Sequence, residues 1–261
     1  MNRRKLWAVG TLAWAVAIAA GAAAEAFDGD PFKSFQWPEL KKEFLGAGAR
    51  VQFDARVRVQ GPAFAEDPMN VPISVATDLP GVQRLIVLVD RNPIRKVLEL
   101  QPLAAQPGVS FRFKLEQASP VRALALTADG VWHVGGALVD SAGGGCTVPG
   151  GSRADGSWTQ TLGQVSGRVF ASGLPGADSA ARLRVRIMHP MDTGLVGGIP
   201  AFYLSKLSVR DGAGRELLRI QTFEPISENP VFSFDFAKPP PGPLRIVGVD
   251  NNGNRIDSRV E

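Results

Sequence analysis

Three stretches alternate apolar and polar residues with a period of two. Phe111, Phe113 and Leu115 interleave with Arg112, Lys114 and Glu116; Leu183, Val185 and Ile187 with Arg182, Arg184 and Arg186; Phe232, Phe234 and Phe236 with Ser233 and Asp235. Successive side chains on a strand point to opposite faces, so this pattern predicts strands with one buried and one wet face. Leu85 to Val89 is an unbroken apolar run of strand length and predicts a central strand. Trp132 and His133 are read as strand residues with one face buried. Turn residues separate the runs at Asp90-Arg91-Asn92-Pro93, Ala128-Asp129-Gly130, Asp211-Gly212-Ala213-Gly214 and Asn251-Asn252-Gly253-Asn254. Many short strands punctuated this way predict an all-β chain built of sandwiches. One helix is expected, over Phe32 to Leu45, with Pro38 in its first turn and Gly46 to Gly48 ending it.

The strand pattern fails between Ser141 and Gly167. The run Ser-Ala-Gly-Gly-Gly-Cys-Thr-Val-Pro-Gly-Gly-Ser-Arg-Ala-Asp-Gly has no apolar stretch worth burying, and it reads as a glycine-rich linker over 141–166. It divides the chain into a first β domain, 27–140, and a second, 167–261. Residues 1–26 have the form of a cleaved signal peptide: basic Asn2-Arg3-Arg4-Lys5, an apolar run from Leu6 to Ala20, and a cut after Ala24 or Ala26. The apolar run is short for a membrane anchor, and no later stretch is apolar enough to span a bilayer. The expected location is therefore the periplasm, with no membrane attachment after cleavage.

Composition narrows the chemistry. The formal net charge is +4 and scattered, which gives no argument for nucleic acid. Two histidines, His133 and His189, and one cysteine leave little for a metal site, and neither metal nor cofactor is expected. In an oxidising compartment a lone cysteine invites oxidation or intermolecular bonding, so its placement matters.

Cys146 is that cysteine. Gly143, Gly144 and Gly145 precede it, and Gly150 and Gly151 follow. A core cysteine would have apolar neighbours to pack against; this one has almost none. The glycines predict a flexible arm with an open sulfur, reaching roughly 20 Å from the last strand at ~3.3 Å per residue. Such an arm suits delivery into a partner's pocket. It suits catalysis in place poorly, because a Cys/His pair needs a base held within hydrogen-bond reach. The glycines also lack the Lys-Ser/Thr and helix of a phosphate-binding loop. An open thiol implies ordinary acidity, rapid labelling and Cys146 disulfide dimers in air.

Particular residues carry a resemblance. Val71-Pro72-Ile73, the run Leu85 to Pro93 and Gly144-Gly145-Cys146 resemble the SoxY half of the SoxYZ sulfur carriers. His189-Pro190-Met191-Asp192-Thr193-Gly194, Ile199-Pro200-Ala201-Phe202-Tyr203 and Asn229-Pro230-Val231-Phe232-Ser233-Phe234 resemble the SoxZ half. The whole is similar to fused SoxYZ-like carriers associated with quinoprotein dehydrogenases. The resemblance implies two immunoglobulin-like sandwiches and a non-catalytic carrier of a thiosulfate-derived intermediate on Cys146. It implies c-type cytochromes and sulfur-oxidation enzymes, or a quinoprotein dehydrogenase system, as partners. The chain departs from the parent in continuing past the cysteine, so the arm is tethered at both ends. The alternative is a β-sandwich adaptor in which Cys146 carries a different cargo or none.

His189 and Asp192 are candidate docking residues for the arm or a partner, against a plain reading as loop residues satisfying backbone groups. Arg182, Arg184 and Arg186 form either a solvated face or an anion-attracting one.

Overall fold

The computed structural model describes residues 29–172 and 180–260; the leader expected at 1–26 lies outside them. The chain divides after Ala49 into two compact units. In the first, helix α1 runs Trp37–Leu45 and ends at Gly46, whose N–H donates to Lys42 O. It starts later than expected because Asp30 captures the preceding backbone. Its carboxylate accepts the N–H groups of Phe32 and Ser34 and holds them in turns. No helix among the described residues is long and apolar enough to cross a membrane.

The second unit is β throughout, apart from two short helices. Nine strands come from its first half: β1 (Arg50–Phe53), β2 (Val57–Gln60), β3 (Phe64–Ala65), β4 (Val71–Thr77), β5 (Val82–Val89), β6 (Lys96–Gln101), β7 (Gly108–Phe113), β8 (Ser119–Thr127) and β9 (Val131–Ser141). Helices α2 (Gly151–Asp155) and α3 (Trp158–Thr161) follow. The second half supplies β10 (Val165–Ser172), β11 (Ala180–Ile187), β12 (Leu204–Arg210), β13 (Glu216–Thr222), β14 (Val231–Phe236), β15 (Leu244–Asp250) and β16 (Arg255–Val260).

These strands make two β-sandwich domains that share their sheets. One sheet has the order β1-β9-β8-β5-β6-β13-β12-β15-β16, with β3 beside β9; the other runs β10-β11-β14-β7-β4-β2. The halves join where β6 pairs with β13 and where β7 meets β14 at Ser110 and Ser233. The apolar inner faces form one continuous core, from Leu85, Val87 and Phe113 in the first half to Leu183, Phe232 and Phe234 in the second. Period two decides this arrangement: along β11 every second residue is buried and each intervening arginine is exposed. The run Leu85 to Val89 lies in β5, between β8 and β6, and is fully covered. Trp132 and His133 are both buried rather than one of them. Arg84 lies over the Trp132 ring, and the His133 ring is held by Asp54 at 2.8 Å. The predicted turn at Asp90 also carries a buried ion pair. Arg122 grips the Asp90 carboxylate through two bonds of 2.8 Å, with neither side chain exposed.

Candidate functional site

The site is built where β7 ends. Phe113 and Leu115 turn into the core, which sends Lys114 and Glu116 to the opposite side. Asn92, from the turn after β5, fixes this stretch of backbone. Its amide donates to Lys114 O at 2.8 Å, and its carbonyl oxygen accepts the Glu116 N–H at 2.9 Å. Across the junction between the halves, the chain after β11 supplies His189, Met191, Asp192 and Thr193, and the chain before β14 supplies Glu228.

The glycine-rich segment lies down across this junction as a strap. The Gly144 N–H donates to Glu116 O and the Gly145 N–H to Leu115 O, each at 3.2 Å. The Cys146 N–H donates to the Glu116 carboxylate at 2.8 Å, and the Thr147 hydroxyl bonds the same group at 3.1 Å. From the second half, the Thr193 hydroxyl donates to Cys146 O at 2.7 Å. Farther along, the Ser152 N–H donates to Glu228 at 2.7 Å. Arg153 bonds Asp192 through Nε at 2.9 Å and again through Nη2, and its guanidinium lies 4.2 Å from the Trp158 ring centre.

The expectation of an open sulfur on a free arm is overturned. Cys146 has no exposed surface. Its Sγ sits 3.6 Å from Lys114 O, as a donor to that carbonyl. Burial pushes the thiol up to about 12, the Glu116 carboxylate adds to the rise, and Lys114 opposes it. Ordinary acidity, rapid labelling and disulfide dimers in air therefore do not describe this state. The glycines serve close approach instead of freedom. A Cβ on Gly145 would stand 2.2 Å from Pro68 O and 2.6 Å from Leu115 O. Gly143 and Gly144 take φ of +93° and +86°, a left-handed conformation that favours glycine. One on Gly150 would stand 2.5 Å from the Glu228 carboxylate, while Gly151 leads into α2.

The two candidate docking residues both reach this junction. Asp192 holds Arg153 of the strap. His189 bonds within its own loop, where its Nδ1 accepts the Met191 N–H at 3.1 Å. The proton therefore sits on Nε2, which faces Asp250 at 3.6 Å, beyond hydrogen-bond reach. Burial pushes His189 down to about 4, with Asp250 opposing, so the ring is neutral near pH 7. Met191 takes a left-handed φ of 51°, and its carbonyl accepts from the buried Lys114 ammonium. Burial lowers the Lys114 pKa, with the charges of Cys146, Asp192 and Glu228 opposing.

Lys114, Glu116, Asn92, Thr193, Glu228 and Arg153 were not singled out as site residues from sequence. The alternation Arg112-Lys114-Glu116 was visible, but a polar strand face reads first as a wet one. As an arrangement, the site encloses a thiol and fixes the backbone on both sides of it. Burial, with the Glu116 carboxylate adding to it, holds the thiol neutral, while Lys114 pulls the other way.

Comparison with known proteins accounts for both sides of the junction. The family described as sulfur oxidation protein SoxY matches residues 41–146, ending on the cysteine. The family described as sulphur oxidation protein SoxZ matches residues 174–261. Among solved structures, the sulfur carrier protein SoxY from Chlorobium limicola f thiosulfatophilum is similar at 18% identity and a TM-score of 0.37, over 47% of this chain and 98% of that one. No curated protein matches the chain. With a SoxY domain and a SoxZ domain in tandem, the chain belongs to the SoxYZ sulfur carriers, in fused form.

Proposed function

We propose that the chain is a periplasmic covalent carrier that holds a thiosulfate-derived intermediate on Cys146 and presents it to partner enzymes, itself catalysing nothing. The observation that carries this reading is how the sole cysteine is held. Cys146 is seated through its backbone N–H on Glu116, its carbonyl on Thr193 and its sulfur on Lys114 O, by hydrogen bonds that solvent can replace. A seat of this kind can open. The closed strap keeps the thiol neutral and inaccessible. Lifting it returns the sulfur to the range of a free thiol, roughly 8.5, a few per cent thiolate at neutral pH.

Loading is an oxidation. Cys146 Sγ forms a bond to the sulfane sulfur of thiosulfate and loses its proton, and two electrons pass to a c-type cytochrome. The product is an S-thiosulfonate, Cys–S–S–SO3 with one negative charge. Such a group does not fit a position with no exposed surface, so loading requires the strap to lift.

The burial of the sulfur favours a second reading as well: an adaptor for a quinoprotein dehydrogenase system, with Cys146 carrying another cargo or none. Intact-mass analysis after incubation with thiosulfate and an oxidising c-type cytochrome separates the two. A single adduct that is lost in Cys146→Ser supports the carrier. An unmodified chain whose Cys146→Ser variant keeps full activity in the host supports the adaptor.

A further inference from the structure

Four arginines stand on the outer face of the six-stranded sheet with no acidic partner among the described residues. Arg184 and Arg186 project from β11, Arg168 from β10 and Arg112 from β7, and all four are exposed. The strand register ties them together. Arg168 lies opposite Arg184, Arg184 opposite Ser233, and Ser233 opposite Ser110, one outward position from Arg112. The other arginines of this face are neutralised: Arg182 by Asp235 at 2.7 Å and Arg58 by Asp78 at 3.2 Å. An open groove of about 430 Å³ runs between Arg112 and Arg184 over Ser74, Ser110 and Ser233. It continues past Arg184 into a second hollow of about 310 Å³ beside Arg168 and Arg186.

The position of this face is as informative as its charge. β7 and β11 run antiparallel to β14, so the end of β7 at Phe113, the end of β11 at Ile187 and the start of β14 at Val231 lie at one end of the sheet. The residues just beyond those termini are the ones that hold the strap: Lys114 and Glu116, Met191 to Thr193, and Glu228. Arg112 is the last outward residue of β7 and stands two positions before Lys114, about 7 Å at the usual rise. The basic groove therefore leads up to the seat of Cys146.

We propose that this face is the docking surface for acidic partner proteins, which approach along the groove and meet the cysteine strap at its end. The inference rests on the carrier reading, since a carrier must be met repeatedly by other proteins. Guanidinium groups without counterions match surface carboxylates in paired hydrogen bonds. Their field raises the association rate of an oppositely charged partner in a salt-dependent way.

The probe is an acidic c-type cytochrome of the thiosulfate-conjugating kind, and the readout is the rate of adduct formation on Cys146 at low and high ionic strength. The double variant Arg112→Glu/Arg184→Glu is compared with Lys206→Glu/Arg255→Glu, which changes the charge equally on the other sheet. The face variant is expected to lower kcat/KM at least tenfold at low salt and to flatten its salt dependence, with the control near wild type. Wild-type loading with equal rates in both variants overturns the docking surface and leaves the carrier intact. Equal losses in both variants show a net-charge effect and also overturn it. No adduct on the wild-type chain overturns the carrier reading, and the docking inference with it.

Discussion

Replacing Arg153 by alanine removes the bond that pins the far side of the strap. Arg153 donates to Asp192 through two nitrogens, and Asp192 is almost wholly buried while Arg153 is one-fifth exposed. A hydrogen-bonded, partly buried charge pair of this sort contributes about 1.5–3 kcal/mol. If the strap opens and closes faster than the thiol reacts, labelling follows the opening equilibrium, and that loss is about a tenfold to hundredfold gain in rate. The closed state is protected twice, by access and by acidity. A thiol moved from 9.0 to about 12 has about a thousandfold less thiolate at a given pH below both values. The assay is iodoacetamide labelling of the full chain followed by intact mass at pH 8, with the urea-unfolded chain as reference. Wild type is expected to label at least a hundredfold more slowly than the unfolded chain, and Arg153→Ala to recover much of the difference. Wild-type labelling at the unfolded rate, or an Arg153→Ala rate equal to wild type, refutes the latch.

Gly145→Ala would press a methyl group onto the backbone of Pro68 and Leu115. It is expected to lift the strap, accelerate labelling of Cys146, and cost about 1–3 kcal/mol in urea unfolding; unchanged labelling would contradict the seat. His189 is neutral when folded and has a pKa of about 4 there against 6.5 unfolded. Its contribution is complete above about pH 6.5 and is lost as pH falls toward 4, up to about 3 kcal/mol. The difference in urea stability between wild type and His189→Asn should shift across that window, and a constant difference would contradict the shift. Arg122→Met leaves Asp90 buried and unpaired, so unfolding should become easier by about 3–5 kcal/mol. A loss under 1 kcal/mol would show that water reaches the pair.

Much of the scaffold was legible because its rule is local. Alternation marked β7, β11 and β14, the apolar run marked β5, and each named turn falls between strands. The seat of the cysteine obeys no local rule. Its partners lie 30 and 47 residues away, at Glu116 and Thr193. They bond the Cys146 backbone, and the sulfur itself meets the Lys114 carbonyl, so no apolar run marks the seat and the segment reads as a bare linker. Glycine is ambiguous in the same way: three in a row suit mobility, but Gly145 is required by the close approach of another backbone. The buried pair left a fainter trace, since Arg122 interrupts the apolar run of β8. A single charge within an otherwise apolar strand calls for a partner. The joining of the two sheets was not foreseen, because pairing of β6 with β13 leaves no mark in either strand alone.

In the proposed carrier the sulfur is closed in when empty and released when loaded. Hydrogen exchange of residues 143–153, measured on the unloaded chain and on the chain carrying thiosulfate at Cys146, tests this most directly. Protection of the Cys146 and Ser152 amides before loading, and its loss afterwards, is the predicted result. Equal protection in both forms, with the adduct verified on Cys146, would contradict it.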